Sequence, residues 1–305
     1  MTERDPVLLL QGVTKKYGGR AVLDALDLAI PAGSVVGLLG KNGAGKTTLL
    51  KTALGLIRPD VGSALLLGEP AWTLSAAAKA RLGYVPQVVT LYPWMRVRQL
   101  VDYTAAFYPR WNDGLVWRLL RDWDVNPDDR VGVLSVGTLQ KLAIILALAP
   151  EPELLVLDEP AASLDPAARR DFLRALLEIA ADGRRTIVFS THITSDLERV
   201  ADRVAVLRGG RIGYHGPLDE LKESVKRLRV TAAEPLAATF SVPGALRLRV
   251  EGNEALVSVQ GATPAVVAEV ERAHAASVRV EALNLEDIFL ELHHEPHAAQ
   301  LFERR

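Results

Sequence analysis

The 305-residue chain contains no cysteine, which excludes disulfides, thiolate catalysis and cysteine-ligated metal sites. It has no excess of either charge: 36 Lys and Arg against 37 Asp and Glu give a net charge of −1. That balance disfavours a dedicated nucleic-acid binder, which would carry a basic field. The longest apolar run, residues 142–150, is shorter than the ~20 residues that cross a bilayer. The first residues carry charges and a proline, so we expect neither a secretory signal nor a membrane span there.

The order of apolar segments predicts two domains. Short apolar segments alternate with helical segments through residue 217, which predicts a mostly parallel sheet covered on both faces. From about residue 90 to 150 the apolar residues follow helical spacing, which indicates a helical insertion. After residue 222 the pattern changes and predicts a hairpin, a helix, a strand and a final helix. We therefore expect a main domain over residues 1–222 and a small α+β domain with a charged tail over residues 223–305.

A glycine-rich segment, GKNGAGKT, matches the pattern G-x-x-x-x-G-K-[ST] between a predicted buried strand and a predicted helix. Its glycines let backbone N–H groups surround phosphate oxygens, and the next helix directs its positive end at them. Lys46 can reach the β- and γ-phosphates of ATP, and the Thr47 hydroxyl can bind Mg²⁺. The predicted ATP contacts are Asn42, Gly43, Ala44, Gly45, Lys46, Thr47 and Thr48.

Two acidic residues end a second predicted buried strand, LLVLDEP. Ligands of open α/β sheets bind at this edge, beyond the carboxyl ends of the strands. Asp158 is suited to hold Mg²⁺ through water, and Glu159 is suited to polarise the attacking water. The alternative is that Asp158 and Glu159 only end the strand in a turn. The phosphate-binding loop GKNGAGKT (the P-loop) earlier in the same chain favours the catalytic interpretation.

With these motifs in family order over about residues 7–217, the chain resembles the ATP-binding cassette (ABC) ATPases. The resemblance implies an α/β fold: a P-loop NTPase (RecA-like) core with an antiparallel β subdomain and a helical insertion. It also implies that Tyr17 stacks on the adenine of ATP and that Val22 packs beside it. Taken alone, Tyr17 is more often an ordinary half-buried aromatic residue.

Three further matches carry roles that the resemblance implies. Gln87, in YVPQ, would contact Mg²⁺ or water and join the core to the insertion. Asp165, in SLDP, belongs to the loop that crosses to a second subunit, and it is also placed to cap a helix before Pro166. His192, in STH, would contact the γ-phosphate.

The segment LSVGTLQK occupies the place of the family signature LSGGQ, before a predicted helix. The resemblance implies that this segment, Ser135, Val136 and Gly137, acts on the ATP held by another subunit. Ser135 supplies a hydroxyl, Gly137 supplies a residue without a side chain, and the segment lies at an open helix N-terminus. Val136 replaces a glycine and Thr138 replaces the glutamine, while Gln140 comes two places later. We interpret the segment as a working variant; a helix cap by Ser135 is compatible with that role.

The family mechanism implies two such chains, identical or different, closing around two ATP and two Mg²⁺ and driving a separate integral membrane permease. The chain would then lie on the cytoplasmic face of the cell membrane through that partner, and no nucleic acid is expected. A single P-loop without a basic run or sustained heptads disfavours the soluble ABC proteins of translation and DNA repair. The spacing S-x-G-x-x-Q and the terminal LEDIFLEL resemble bacterial export-type (ABC-2-like) ATPases, with an importer ATPase as the alternative.

Some aromatic residues and histidines allow two interpretations. Tryptophans in the insertion contribute either to permease docking or to ordinary packing; they are Trp111, Trp117 and Trp123. Near the end of the chain, a solvated tail is favoured over a metal site for His293, His294 and His297.

Overall fold

A computed structural model describes residues 5–181, 183–237 and 239–292. The chain divides into two compact units, Met1–His215 and Gly216–Arg305, shortly before the boundary after residue 222 that we expected. The three tail histidines lie outside the described residues.

Ten strands and seven helices of the larger unit are numbered in chain order. The strands are β1 (Pro6–Tyr17), β2 (Arg20–Pro31), β3 (Val35–Leu39), β4 (Val61–Leu66), β5 (Glu69–Pro70), β6 (Leu82–Val85), β7 (Leu154–Asp158), β8 (Thr186–Thr191), β9 (Arg203–Arg208) and β10 (Arg211–Pro217). The helices are α1 (Lys46–Ala53), α2 (Ala76–Lys79), α3 (Val97–Ala105), α4 (Asp113–Asp122), α5 (Val136–Leu148), α6 (Pro166–Ala180) and α7 (Thr194–Val200).

The central sheet has the strand order β10-β9-β3-β8-β7-β6. Strand β3 pairs parallel with β8 and β9, and β7 pairs parallel with β6 and β8. Every residue of β3, β7 and β8 is buried, as expected for a parallel sheet covered on both faces. This sheet confirms the α/β core predicted from the sequence, and it brings the ends of β3, β7 and β8 to one edge.

A second sheet, of order β2-β1-β4-β5, is antiparallel throughout. Apolar side chains of β1 and β2 join a single buried cluster with α1 and with the central sheet, including Leu10, Ile30, Leu50, Leu38 and Val156. Helix α1 is therefore fixed between the two sheets. Its first residue, Lys46, is held at a defined place beside the end of β3.

The insertion between β6 and β7 contains α3, α4 and α5, as the sequence predicts. Helix α4 begins after Asn112, whose Oδ1 accepts from the Leu115 N–H at 2.9 Å. Helix α5 is apolar and mostly buried, so its packing rather than amphipathic patterning holds it in place. Only its first turn is exposed, and that turn carries the variant signature.

The smaller unit contains a four-stranded sheet. Its elements are α8 (Leu218–Ser224), β11 (Val225–Ala232), β12 (Ala245–Glu251), β13 (Glu254–Gln260), α9 (Pro264–His274), β14 (Ala276–Ala282) and α10 (Leu285–Leu292). The strand order is β12-β13-β11-β14, with β11 in the interior of the sheet. The sequence does not predict β11, because the start of this strand is charged and its alternation follows directly on α8. Across the described parts of both units, no helix is long and apolar enough to span a bilayer.

Candidate active site

The loop between β3 and α1 is shaped by glycines with left-handed backbone. Gly43 has φ 78° and Gly45 has φ 104°, a region that side-chain-bearing residues rarely adopt. A Cβ on Gly45 would also lie only 3.1 Å from Val22 Cγ1 and from Val22 O. No side chain caps the N-terminus of α1, so its first N–H groups are open to a ligand.

Lys46 is buried, with 6% of its surface exposed. Its Nζ donates to Gly40 O at 2.7 Å and lies 3.0 Å from Glu159 Oε1. A buried ammonium group is stable only when it is paired in this way. The ammonium group of Lys46 therefore lies against the phosphate-binding loop, with the Glu159 carboxylate as its counter-ion.

Glu159 follows the end of β7 in a left-handed backbone conformation, with φ 49°. Its second carboxylate oxygen, Oε2, lies 2.9 Å from His192 Nδ1. A carboxylate paired with Lys46 can only accept at that oxygen, so the hydrogen belongs to Nδ1 of the imidazole. Glu159 is thus held from two sides, by a cation on the P-loop and by a histidine that follows β8.

Asp158 is fully buried and is tied to β8. Ser190 Oγ donates to Asp158 Oδ1 at 2.7 Å and accepts from the Glu159 N–H at 2.8 Å. The other oxygen, Asp158 Oδ2, is buried and makes no hydrogen bond within the described part of the chain. The free carboxylate oxygen at the end of β7 and the hydroxyl of Thr47, which lines the pocket at this edge, are the kind of oxygen donors that Mg²⁺ prefers, so these residues fit that metal.

Ser190 is a site residue that sequence reasoning missed. The signal was a hydroxyl within the buried strand TIVFST, where apolar residues are expected. Ser190 makes these contacts because β8 lies beside β7 in the sheet. The sequence alone does not reveal which strands are neighbours.

A pocket of about 400 Å³ opens at this edge of the sheet. It is lined by Val22, Lys41, Asn42, Gly43, Gly45, Lys46, Thr47, Thr48, Gln87, Glu159, Ala162 and His192. Ten of these were predicted as site residues, while Lys41 and Ala162 were not. Asp158 lies buried at the end of β7, and Ala44 packs against the core cluster instead of lining the pocket. Tyr17 is half-exposed and outside the pocket lining, with Lys15 Nζ 5.6 Å from its ring centroid.

The variant signature lies at the exposed start of α5, outside this pocket. Ser135 Oγ accepts from the Thr138 N–H at 3.1 Å and lies 2.8 Å from Thr138 Oγ1. Val136 is 67% exposed, and a Cβ on Gly137 would lie 3.2 Å from Ser163 O. Gln140 is buried within α5, so it does not take the place of the signature glutamine at the exposed helix end.

Asp165 begins α6. Its Oδ1 accepts from the N–H groups of Ala168 and Ala167, which lower the pKa of the carboxyl. Helix capping is thus one role of Asp165 in the single chain, as the sequence predicts.

Comparison with known proteins identifies the family. The model of the family described as ABC transporter matches residues 23–162. The Nod factor export ATP-binding protein I of Burkholderia lata is 34% identical over 275 residues, covering 81% of this chain and 90% of that protein. Its counterpart in Rhizobium etli is 34% identical over 289 residues, covering 92% and 91%.

Solved structures that are similar to this chain belong to the same family. The ATP-binding subunit of an ABC transporter is 28% identical, with a TM-score of 0.65 over 71% of this chain and 92% of that one. A bacterial Atm1-family ABC exporter with ATP bound is 25% identical, with a TM-score of 0.63 over 73% of this chain and 41% of that one. The chain belongs to the ABC transporter ATPase family. It is an ATP-binding, ATP-hydrolysing subunit of such a transporter.

Proposed function

We propose that this chain is the Mg²⁺-dependent ATPase subunit of an exporter, and that it works as a pair of cassettes on a membrane permease. The observation that carries the site assignment is the placement of Glu159, between Lys46 on the P-loop and His192 after β8. Export is supported by the relatives, which are named for Nod factor export.

The phosphates of ATP bind at the N-terminus of α1. Open N–H groups and the left-handed glycines make this end of the helix suited to anions. Lys46 leaves Glu159 and pairs with the phosphates, because a phosphate group carries more negative charge than one carboxylate. Glu159 is then free to accept a hydrogen bond from water.

Mg²⁺ would be held by Thr47, Gln87 and Asp158, of which Asp158 has a free buried oxygen. When bound, the metal neutralises negative charge on the phosphates. Ser190 donates to the other oxygen of Asp158 and so fixes the orientation of this carboxylate.

Glu159 is the general base. It orients the attacking water and accepts its proton, a role worth typically 10²–10⁴ in rate. His192 holds the carboxylate in position by donating from Nδ1, at 2.9 Å, and its contact with the γ-phosphate is proposed from the family resemblance.

A second cassette completes the site. Ser135, Val136 and Gly137 lie at an exposed helix end outside the pocket of their own chain, so they are available to an ATP held by the partner copy. Asp165 lies in the loop that we assign to the contact between the two copies.

The permease docks on the helical insertion. Four aromatic side chains there are exposed and contact one another, with ring centroids 5.1–5.5 Å apart: Tyr92, Trp94, Tyr103 and Phe107. Exposed aromatic clusters of this kind mark protein interfaces. Trp94 is 65% exposed, whereas Trp123, which we considered for docking, is buried at 7%. Through this surface the chain would lie on the cytoplasmic face of the membrane.

The test is hydrolysis by Glu159→Gln. This substitution keeps the shape of the side chain but removes the base, so ATP hydrolysis should fall at least ~100-fold while ATP-induced dimers persist. The matched control is Glu153→Gln, which changes an exposed carboxylate paired with Arg81 and should leave turnover unchanged. Wild-type turnover in Glu159→Gln would show that the base is misassigned.

A further inference from the structure

Tyr84, on β6, carries a hydroxyl group that the structure leaves unexplained. The hydroxyl oxygen is buried and has no hydrogen-bond partner among the residues that the structure describes. Such groups are rare in folded proteins, because an unpaired buried hydroxyl destabilises the fold. Its partner is therefore to be sought in a ligand or water that binds nearby.

The sheet places this phenol beside the end of β7. In the parallel pairing of β6 with β7, Tyr84 lies opposite Val156, and Asp158 is two residues further on the same face. The Tyr84 ring packs against the core cluster that includes Val156 and Leu50 of α1. Burial and the nearby charge of Asp158 raise the pKa of Tyr84 to about 12, so the hydroxyl is neutral and retains an acceptor oxygen.

Two unpaired polar atoms thus lie in one region: the Tyr84 hydroxyl and Asp158 Oδ2. Ser190 already occupies the other oxygen of Asp158. Neither orphaned atom bonds to the other, and a metal-bound water is the group that could serve both, since it has two hydrogens to donate.

We propose that Tyr84 is a positioning residue for the catalytic metal: its hydroxyl accepts a hydrogen bond from a Mg²⁺-bound water whose other hydrogen goes to Asp158 Oδ2. The inference rests on the proposed assignment of Asp158 to Mg²⁺. Tyr84 would fix the orientation of that water without touching the substrate. Partners of this kind, one step removed from the metal, typically contribute 10–100-fold to metal affinity.

The test uses Tyr84→Phe in the full chain, which deletes one oxygen and keeps the ring. Binding of the non-hydrolysable analogue AMP-PNP is measured in EDTA and in Mg²⁺, and the ratio of the two Kd values gives the metal effect. We expect the metal effect to fall about tenfold in Tyr84→Phe. The Kd in EDTA and the melting temperature should stay at wild-type values. An unchanged metal effect would overturn the proposal, and so would weaker binding in EDTA, which would indicate a structural role.

Two further variants separate the possible failures. Tyr108→Phe removes a half-buried hydroxyl on the insertion, where the ring lies 5.9 Å from that of Trp111, and should leave the metal effect intact. Asp158→Asn should lose most of it. If Asp158→Asn loses the metal effect and Tyr84→Phe keeps it, the role of Tyr84 is wrong and the metal assignment stands. If Asp158→Asn keeps it, the metal assignment itself fails, and the inference about Tyr84 fails with it.

Discussion

Replacing Ser190 by alanine tests how the two acidic residues are held. Ser190 Oγ donates to the buried Asp158 Oδ1 and accepts from the Glu159 N–H, so Ser190→Ala removes two bonds at once. A hydrogen bond to a charged group contributes about 1.5–3 kcal/mol, and an orphaned buried N–H costs about 1–3 kcal/mol. Allowing for partial overlap, we expect the free energy of unfolding to fall by about 2–4 kcal/mol.

For a unit of this size, 1 kcal/mol shifts Tm by roughly 2–4 °C, so Ser190→Ala should lower Tm by roughly 5–15 °C in calorimetry. ATP hydrolysis should fall at least ~10-fold, because Asp158 loses its orientation. Ser34→Ala is the matched control: Ser34 is also buried, but among the described residues its Oγ makes one bond, to Pro31 O at 2.7 Å, so the expected cost is about 1 kcal/mol. Equal effects of the two substitutions on Tm and on turnover would refute the reasoning.

Two other predictions concern pH and partner binding. Burial lowers the pKa of His215 below the ordinary histidine value of about 6.5, so the unfolded chain binds a proton there more readily than the folded protein does. The stability associated with His215 is therefore complete above pH ~6.5 and is lost as pH falls below that value through the lower pKa of the folded protein. Urea unfolding between pH 7.5 and 5.5 should show this loss, and His215→Gln should reduce the slope; an identical slope would contradict it. On the insertion, Trp94→Ser should leave the ATPase activity of the isolated chain unchanged but weaken permease co-purification at least ~10-fold, while Trp117→Ser, also exposed, should not.

Local chemistry made most of the nucleotide site predictable. Residue 45 has a positive φ and lies close to Val22, so only glycine fits there without strain. The eight-residue motif of the loop already requires glycine at this position. The acidic tip of β7 was equally predictable, since a buried strand ending in Asp158 and Glu159 follows directly from the apolar run before it.

Non-local contacts explain what sequence reasoning missed. Ser190 bonds to Asp158, and Tyr84 lies on the strand beside it, only because β8 and β6 flank β7, and strand order is a property of the folded sheet. Trp123 and Trp94 look alike in the sequence, yet packing buries one and exposes the other. Tyr17 does not line the pocket of the single chain, although the resemblance implies that it stacks on adenine. Its role toward adenine stays a prediction.

Each ATP is expected to be held by Lys46 of one copy and Ser135 of the other. Lys46→Ala and Ser135→Ala should each abolish most hydrolysis when assayed alone. A mixture of the two variants forms heterodimers in which one site has both residues intact, so steady-state ATPase activity should return to a substantial fraction of the wild-type rate. A mixture no more active than the separate variants would contradict the shared site.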